Sequence, residues 1–245
     1  HSMGGLVARS YIENNALYQD DIAKLAMIGT PNHGSADAYY PWEGGNLAKG
    51  LFGFLGEVAE KVMGGRFVKI GAYTAQTAAV NYVHTFFPSI QELLPTFPYL
   101  KNENIGLLRP TGDLTWQNDF LDDLNADPRI TRLADQLASK VFAGEGYETE
   151  EIIEVTYPNP DNPGSFSFLP YPDGKPTLLE ITSLSGDQAV LSQKSARITE
   201  TNVPFEAKVK QISDPENFLA HTNLPNAFFH EVNSFLGRAA TTTPP

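Results

Sequence analysis

Apolar positions along this chain change their period several times, and the changes mark out its elements. Over residues 3–16, Leu6, Val7, Ser10, Tyr11 and Asn14 mark the turns of a helix. Asn14-Asn15 and Asp20-Asp21 break it, and residues 22–28 (IAKLAMI) form a short apolar run closed by Gly29. A run of that length between turn residues predicts a buried parallel strand. Helix then strand is half of a β-α-β unit, whose first strand would precede His1. From about 36 to 127 no strand pattern occurs. Leu47, Leu51, Phe54, Leu55, Val58 and Val62 give one helix an apolar face, and Gly50, Gly53 and Gly56 line another. Glycines inside a helix cost roughly 1 kcal/mol each against alanine, so that helix is pliable or closely packed. Further helices are predicted over about 73–87 and 89–94. Asp113 is placed to cap another, carrying Trp116, Phe120, Leu121 and Leu124. Asp127-Pro128 starts the next, with Ile130, Leu133, Ala134 and Leu137 on one stripe.

Strand patterns return at 139–144, 152–155 and 177–182. Between the last two, residues 157–176 are rich in proline and glycine, around a possible hairpin at 166–169. Residues 205–212 (FEAKVKQI) alternate apolar and polar and predict the last strand. A helix over 226–236 follows, burying Ala227, Phe228, Val232, Phe235 and Leu236 and leaving His230 off its stripe, at the surface. Taken together the elements predict an α/β fold with a mostly parallel sheet, interrupted by a helical insert. After Gly237 the Thr/Pro tail, 238–245, has the composition of a linker or terminus.

Composition narrows the function. With 41% hydrophobic and 19% charged residues, the 245-residue chain is globular rather than disordered. A net charge of −12 leaves no basic stripe for phosphates or anionic membranes, so nucleic acid is excluded as a partner. The chain has no cysteine, hence neither disulfide framework nor thiolate nucleophile. No apolar run approaches the roughly 20 residues of a membrane span. The tail is in keeping with an extracellular or secreted protein, and a cytoplasmic one stays open.

His1-Ser2-Met3-Gly4-Gly5 has the residue types of a sharp strand-to-helix turn with a serine at its apex. Such a turn is strained, and positions two residues either side of the serine must be small for strand and helix to pack. Gly4 meets the downstream requirement, and the upstream glycine would stand before His1. Joined to the strand at 22–28 and the loop Gly29-Thr30-Pro31-Asn32-His33-Gly34-Ser35, this opening resembles the lipase and esterase branch of the α/β-hydrolases. The nearest members are the lecithin:cholesterol acyltransferase-like and GPI-inositol deacylase-like lipases. The resemblance implies that 1–237 is the C-terminal part of an α/β-hydrolase domain, cut at the nucleophile turn, with a lid inserted at about 36–127. Residues 93–100, apolar and proline-stiffened, recur in the lids of those lipases.

The same resemblance assigns the site. Ser2 corresponds to the nucleophile. Gly186-Asp187 and Val190 match the family's G-D-G-T-V, making Asp187 the acid, although Gln188-Ala189 stands where Gly-Thr is usual. His221-Thr222-Asn223-Leu224-Pro225 matches H-x-x-L-P, making His221 the base. A serine hydroxyl needs an imidazole to take its proton, and the imidazole needs a carboxylate to fix its tautomer. The order serine, acid, histidine is the one this fold uses. His33 competes as base, but the base here follows the last strand, and His33 has an alternative role in holding its loop by hydrogen bonds. Asp214 and Glu180 compete as acids; Asp214 lies in a loop where turn chemistry is the commoner use. The backbone N–H of Met3 is one oxyanion donor, and the second would lie upstream, so the chain by itself is expected to be inactive.

The expected activity is hydrolysis of carboxylic esters, lipid or acyl-glycerol esters foremost, through an acyl-enzyme. Transfer of the acyl group to an alcohol uses the same intermediate. A hydrolase scaffold retained as a non-catalytic binding module is the reading from another class. No cofactor and no stable partner is implied, beyond transient contact of the lid with a lipid interface. No metal cluster is visible, and calcium held by scattered carboxylates and loop carbonyls stays open.

Overall fold

A computed structural model describes residues 1–47, 72–156, 171–199, 205, 207–212 and 220–237. Its elements follow in the order α1 (Gly4–Ile12), β1 (Lys24–Ile28), α2 (Tyr39–Gly44), α3 (Ala72–Phe86), β2 (Leu100–Asn102), α4 (Asp119–Leu124), α5 (Asp127–Gln136), β3 (Ala138–Glu145), β4 (Tyr147–Thr156), β5 (Lys175–Gly186), β6 (Ala207–Gln211), α6 (Ala220–Ala227) and α7 (Phe229–Leu236). The fold is mixed α/β, rich in parallel pairing. The glycine-lined helix expected over 47–62, the hairpin at 166–169, Asp214 and the Thr/Pro tail lie outside the described residues, 47 excepted. The chain forms two compact units: one of His1–His33, Asp119–Thr149 and Ser183–Pro245, the other of Gly34–Asn118 and Glu150–Thr182.

The first unit is built on a parallel sheet in the order β1-β3-β6. Met27 lies opposite Val141 and Ile28 opposite Phe142, while Val141 also faces Ala207. The apolar runs that predicted these strands are buried where they pair: Met27, Val141 and Phe142 are fully covered. Phe142 packs with Leu224 and Phe228, and Val232 and Phe235 close over them. Two departures from the sequence pattern matter for the site. On α1 the buried face is Gly5, Leu6, Arg9 and Ile12, whereas Val7 is 63% exposed. A charged residue thus takes an inward position that an apolar count passes over. The closing helix is two helices, and α6 begins at Ala220, so His221 sits in a first helical turn rather than a loop. His230 is exposed, as its position off the stripe implied.

The second unit contains the sheet β2-β4-β5, with Leu100 parallel to Ile153. Strand β2 falls where no strand was expected, because three residues are too few to show a period. Its core joins Tyr39, Tyr40, Tyr99 and Tyr171 to Leu100, Ile153 and Val155. Residues 88–93 form a 3-10 helix after Phe87, and Asp113 ends a 3-10 turn instead of capping a helix. Among these tyrosines a carboxyl pair is buried: the Asp173 N–H donates to Glu43 Oε2 at 3.1 Å, and Asp173 accepts from the Thr115 N–H at 2.8 Å. Burial, then the charge of Asp173, pushes Glu43 up to about 9.

Candidate active site

Three chain segments of the first unit place one polar side chain each at a common point. Ser2 stands immediately before α1 with φ 55°, a left-handed conformation uncommon for a residue with a side chain. Its N–H donates to the Ile28 carbonyl at 2.9 Å, which ties the turn to the end of β1. The helix that follows can approach because Gly5 has no side chain: a Cβ there would lie 2.1 Å from Thr30 Oγ1. A Cβ on Gly4 would meet nothing within 4 Å. Among the described residues, the close approach is made at Gly5, against Thr30, and none is made at Gly4.

Asp187 follows the end of β5 and is buried. Its Oδ1 accepts from the N–H groups of Ala189 at 3.1 Å and Val190 at 2.8 Å. Those two bonds fix the carboxylate's rotamer and leave Oδ2 to face His221. The His221 Nδ1–H donates to Asp187 Oδ2 at 3.0 Å. On the other side of the ring, the Ser2 hydroxyl donates to Nε2 at 2.9 Å. Imidazole and carboxylate are 3% and 1% exposed, so water competes little for these bonds. His1 adds a further contact: its Nε2–H donates to the His221 carbonyl at 2.8 Å, with the two rings 4.8 Å apart.

Of the competing residues, His33 is engaged elsewhere. Its N–H donates to the Ser195 carbonyl at 2.9 Å and its Nε2 lies 3.3 Å from the Ile198 carbonyl, which holds the loop. Asp214 and the side chain of Glu180 fall outside the described residues. Met3 precedes the first turn of α1, so its N–H stands at the positive end of that helix, beside Ser2.

A second cluster, which the sequence reading passed over, steadies the loop from Gly29 to His33. Arg9 is wholly buried and donates to Glu13 Oε1 at 2.8 Å, Asn32 Oδ1 at 2.8 Å, Asn125 Oδ1 at 3.0 Å and the Leu124 carbonyl at 2.9 Å. Asn32 in turn donates to the Ala196 carbonyl at 2.6 Å. Burial lowers the pKa of Arg9 and raises that of Glu13, each opposed by the other's charge. The available signal was an arginine at the spacing of Leu6 and Ile12.

Among the described residues no group of three or more His, Asp or Glu side chains is placed to hold a metal ion, and no helix is long and apolar enough to cross a membrane. No known family model matches the chain, and no curated protein matches it in sequence.

Proposed function

We propose that this chain carries the nucleophile, base and acid of a serine hydrolase of the α/β-hydrolase type, acting on carboxylic esters. One observation carries the reading: an imidazole hydrogen-bonded on one side to a serine hydroxyl and on the other to a buried carboxylate. The left-handed backbone of Ser2 supports it, since strain of this kind holds the nucleophile at the apex of its turn.

In this reaction Ser2 Oγ attacks the ester carbonyl while its proton passes to His221 Nε2. Asp187 holds the Nδ1–H tautomer and stabilises the imidazolium. The negative charge that develops on the carbonyl oxygen is met by the Met3 N–H at the head of α1. His221 then returns the proton to the departing alcohol, leaving an acyl group on Ser2. Water, activated by the same imidazole, releases the acid and restores the hydroxyl. Lipid or acyl-glycerol esters are the substrates that the lipase resemblance favours, and the insert at about 36–127 takes the part of a lid on the same ground. An alcohol replacing water in the last step would give acyl transfer.

The test is fluorophosphonate labelling of the protein expressed from its own start codon. Mass spectrometry should place the adduct on Ser2, and Ser2→Ala and His221→Ala should each abolish it. A folded protein that takes up no probe overturns the reading. Turnover of acyl-glycerols below and above micelle formation then tests the lid, which predicts faster turnover on the aggregated substrate.

A further inference from the structure

Gln188 holds a backbone conformation that suits glycine. Its φ is 84°, in the left-handed region that a residue with a side chain rarely adopts. The conformation is over-determined by its neighbours. The Gln188 N–H donates to Thr149 Oγ1 at 2.9 Å, and that hydroxyl donates to the Tyr147 carbonyl at 3.1 Å. What glycine could not provide is the side chain. Gln188 Oε1 accepts from the backbone N–H of Ala220 at 2.9 Å.

Ala220 is the first residue of α6 and the neighbour of His221. N–H groups in a first helical turn have no partner within their own helix, so an outside acceptor both satisfies one and fixes where the helix begins. The turn bearing Asp187 and the helix bearing His221 are thereby joined twice. One joint is the carboxylate–imidazole bond at 3.0 Å, and the other is the amide of the next residue on the backbone next to the base. The His1 bond to the His221 carbonyl holds the same stretch from the nucleophile's side.

We infer that Gln188 is a positioning residue of the Ser2 site, clamping the start of α6 to the acid's turn so that His221 Nε2 stays in reach of Ser2 Oγ. It touches no reacting atom. The inference rests on the serine hydrolase reading. It also explains why a strained glutamine stands at this position: the clamp requires an acceptor on a side chain long enough to reach Ala220.

Three variants of the protein expressed from its own start codon test this. Gln188→Met keeps the length and the strain but removes the acceptor. Gln188→Glu keeps an acceptor oxygen, its charge at the favourable end of a helix. Gln188→Gly removes both clamp and strain. Displacing a catalytic group by even 1 Å can lower rates about 100-fold, so Q188M and Q188G should reduce kcat and the Ser2 labelling rate by about tenfold or more at unchanged KM. Q188E should restore most of the rate, and Q188G should melt no lower than Q188M. Wild-type kcat in Q188M or Q188G overturns the inference, and so does a loss that merely tracks Tm and that Q188E leaves unrestored. Failure of the unsubstituted protein to label at Ser2 removes the hydrolase reading itself, whereas a labelled protein indifferent to Q188M removes only the clamp.

Discussion

A side chain on Gly29 would strike the ring of His221: a Cβ there would lie 2.9 Å from Cε1 and 3.2 Å from Nδ1 of the imidazole. The glycine cannot withdraw, because its N–H is bonded to the Phe142 carbonyl at 2.8 Å, within the central strand β3. Its φ of 56° also lies in the region that a Cβ disfavours. Gly29→Ala should therefore push the imidazole off Ser2, and a shift of this size predicts a labelling rate lower by about 100-fold. Circular dichroism should remain that of the parent, since the collision is with one ring and the Leu224 methyl. Parent-like labelling of the variant would mean that the imidazole does not pack on Gly29.

Gly4 and Gly5 separate two reasons for a glycine near the start of a helix. A Cβ on Gly4 meets open space, and alanine is the better helix former by about 1 kcal/mol, so Gly4→Ala should leave stability level or raise it slightly. Gly5→Ala would force a methyl within 2.1 Å of Thr30 Oγ1, whose residue is fully buried. Overpacking of this kind costs typically 1–3 kcal/mol, which urea denaturation resolves. Equal midpoints for the two variants would show that α1 does not press on Thr30.

This pair marks how far the residues alone could lead. Ser2, Asp187 and His221 each lie in a short stretch that the family resemblance marks, while strand β1 announces itself as an apolar run and β6 as an alternation of apolar and polar residues. Those signals are local, so they were legible. The need for Gly5 is not local, because it is set by Thr30 on another element. The same holds for Gln188, whose partner Ala220 is distant in the chain, and for Arg9, which reads as an ordinary helix residue until four separate acceptors surround it. Strand β2 is three residues long and has no period to read. The tyrosine-lined core of the second unit draws on residues from Tyr39 to Tyr171, and no spacing announces that they meet.

Within that core, Glu43 makes a pH prediction. Burial and the adjacent Asp173 raise it from 4.5 to about 9, with Tyr39 and Tyr171 also close by. In the unfolded chain Glu43 loses its proton near 4.5, while in the folded chain it keeps it until about 9. Over that window the folded state binds one more proton, so stability falls as pH rises, by at most about 1.4 kcal/mol per pH unit. Glu43→Gln keeps the size and removes the titration. The stability difference between variant and parent, from urea melts at pH 5 to 8, should grow steadily in the variant's favour. A constant difference across the series would mean that Glu43 is ionised in the folded protein.

Arg9 and Glu13 provide the sharpest test of the first unit's interior. Both are buried, and the arginine's bonds reach a helix neighbour, the Asn32 loop side chain and the end of α4. Removing one member of a buried ion pair leaves the other charge uncompensated, at about 3–5 kcal/mol. Arg9→Met should be affected in full, because it strands the Glu13 carboxylate and deprives Asn32 of its donor together. Glu13→Gln should cost less, since its amide oxygen can still accept from Arg9 Nε. Once Arg9 is gone, the neutral glutamine becomes preferable to a stranded charge, so Arg9→Met with Glu13→Gln should be more stable than Arg9→Met alone. Urea melts of the four proteins close the cycle, and the coupling should exceed the roughly 0.5 kcal/mol within which independent sites add. An additive cycle would assign the burial energy of Arg9 to the Asn32, Leu124 and Asn125 oxygens and leave Glu13 without a share in holding the loop.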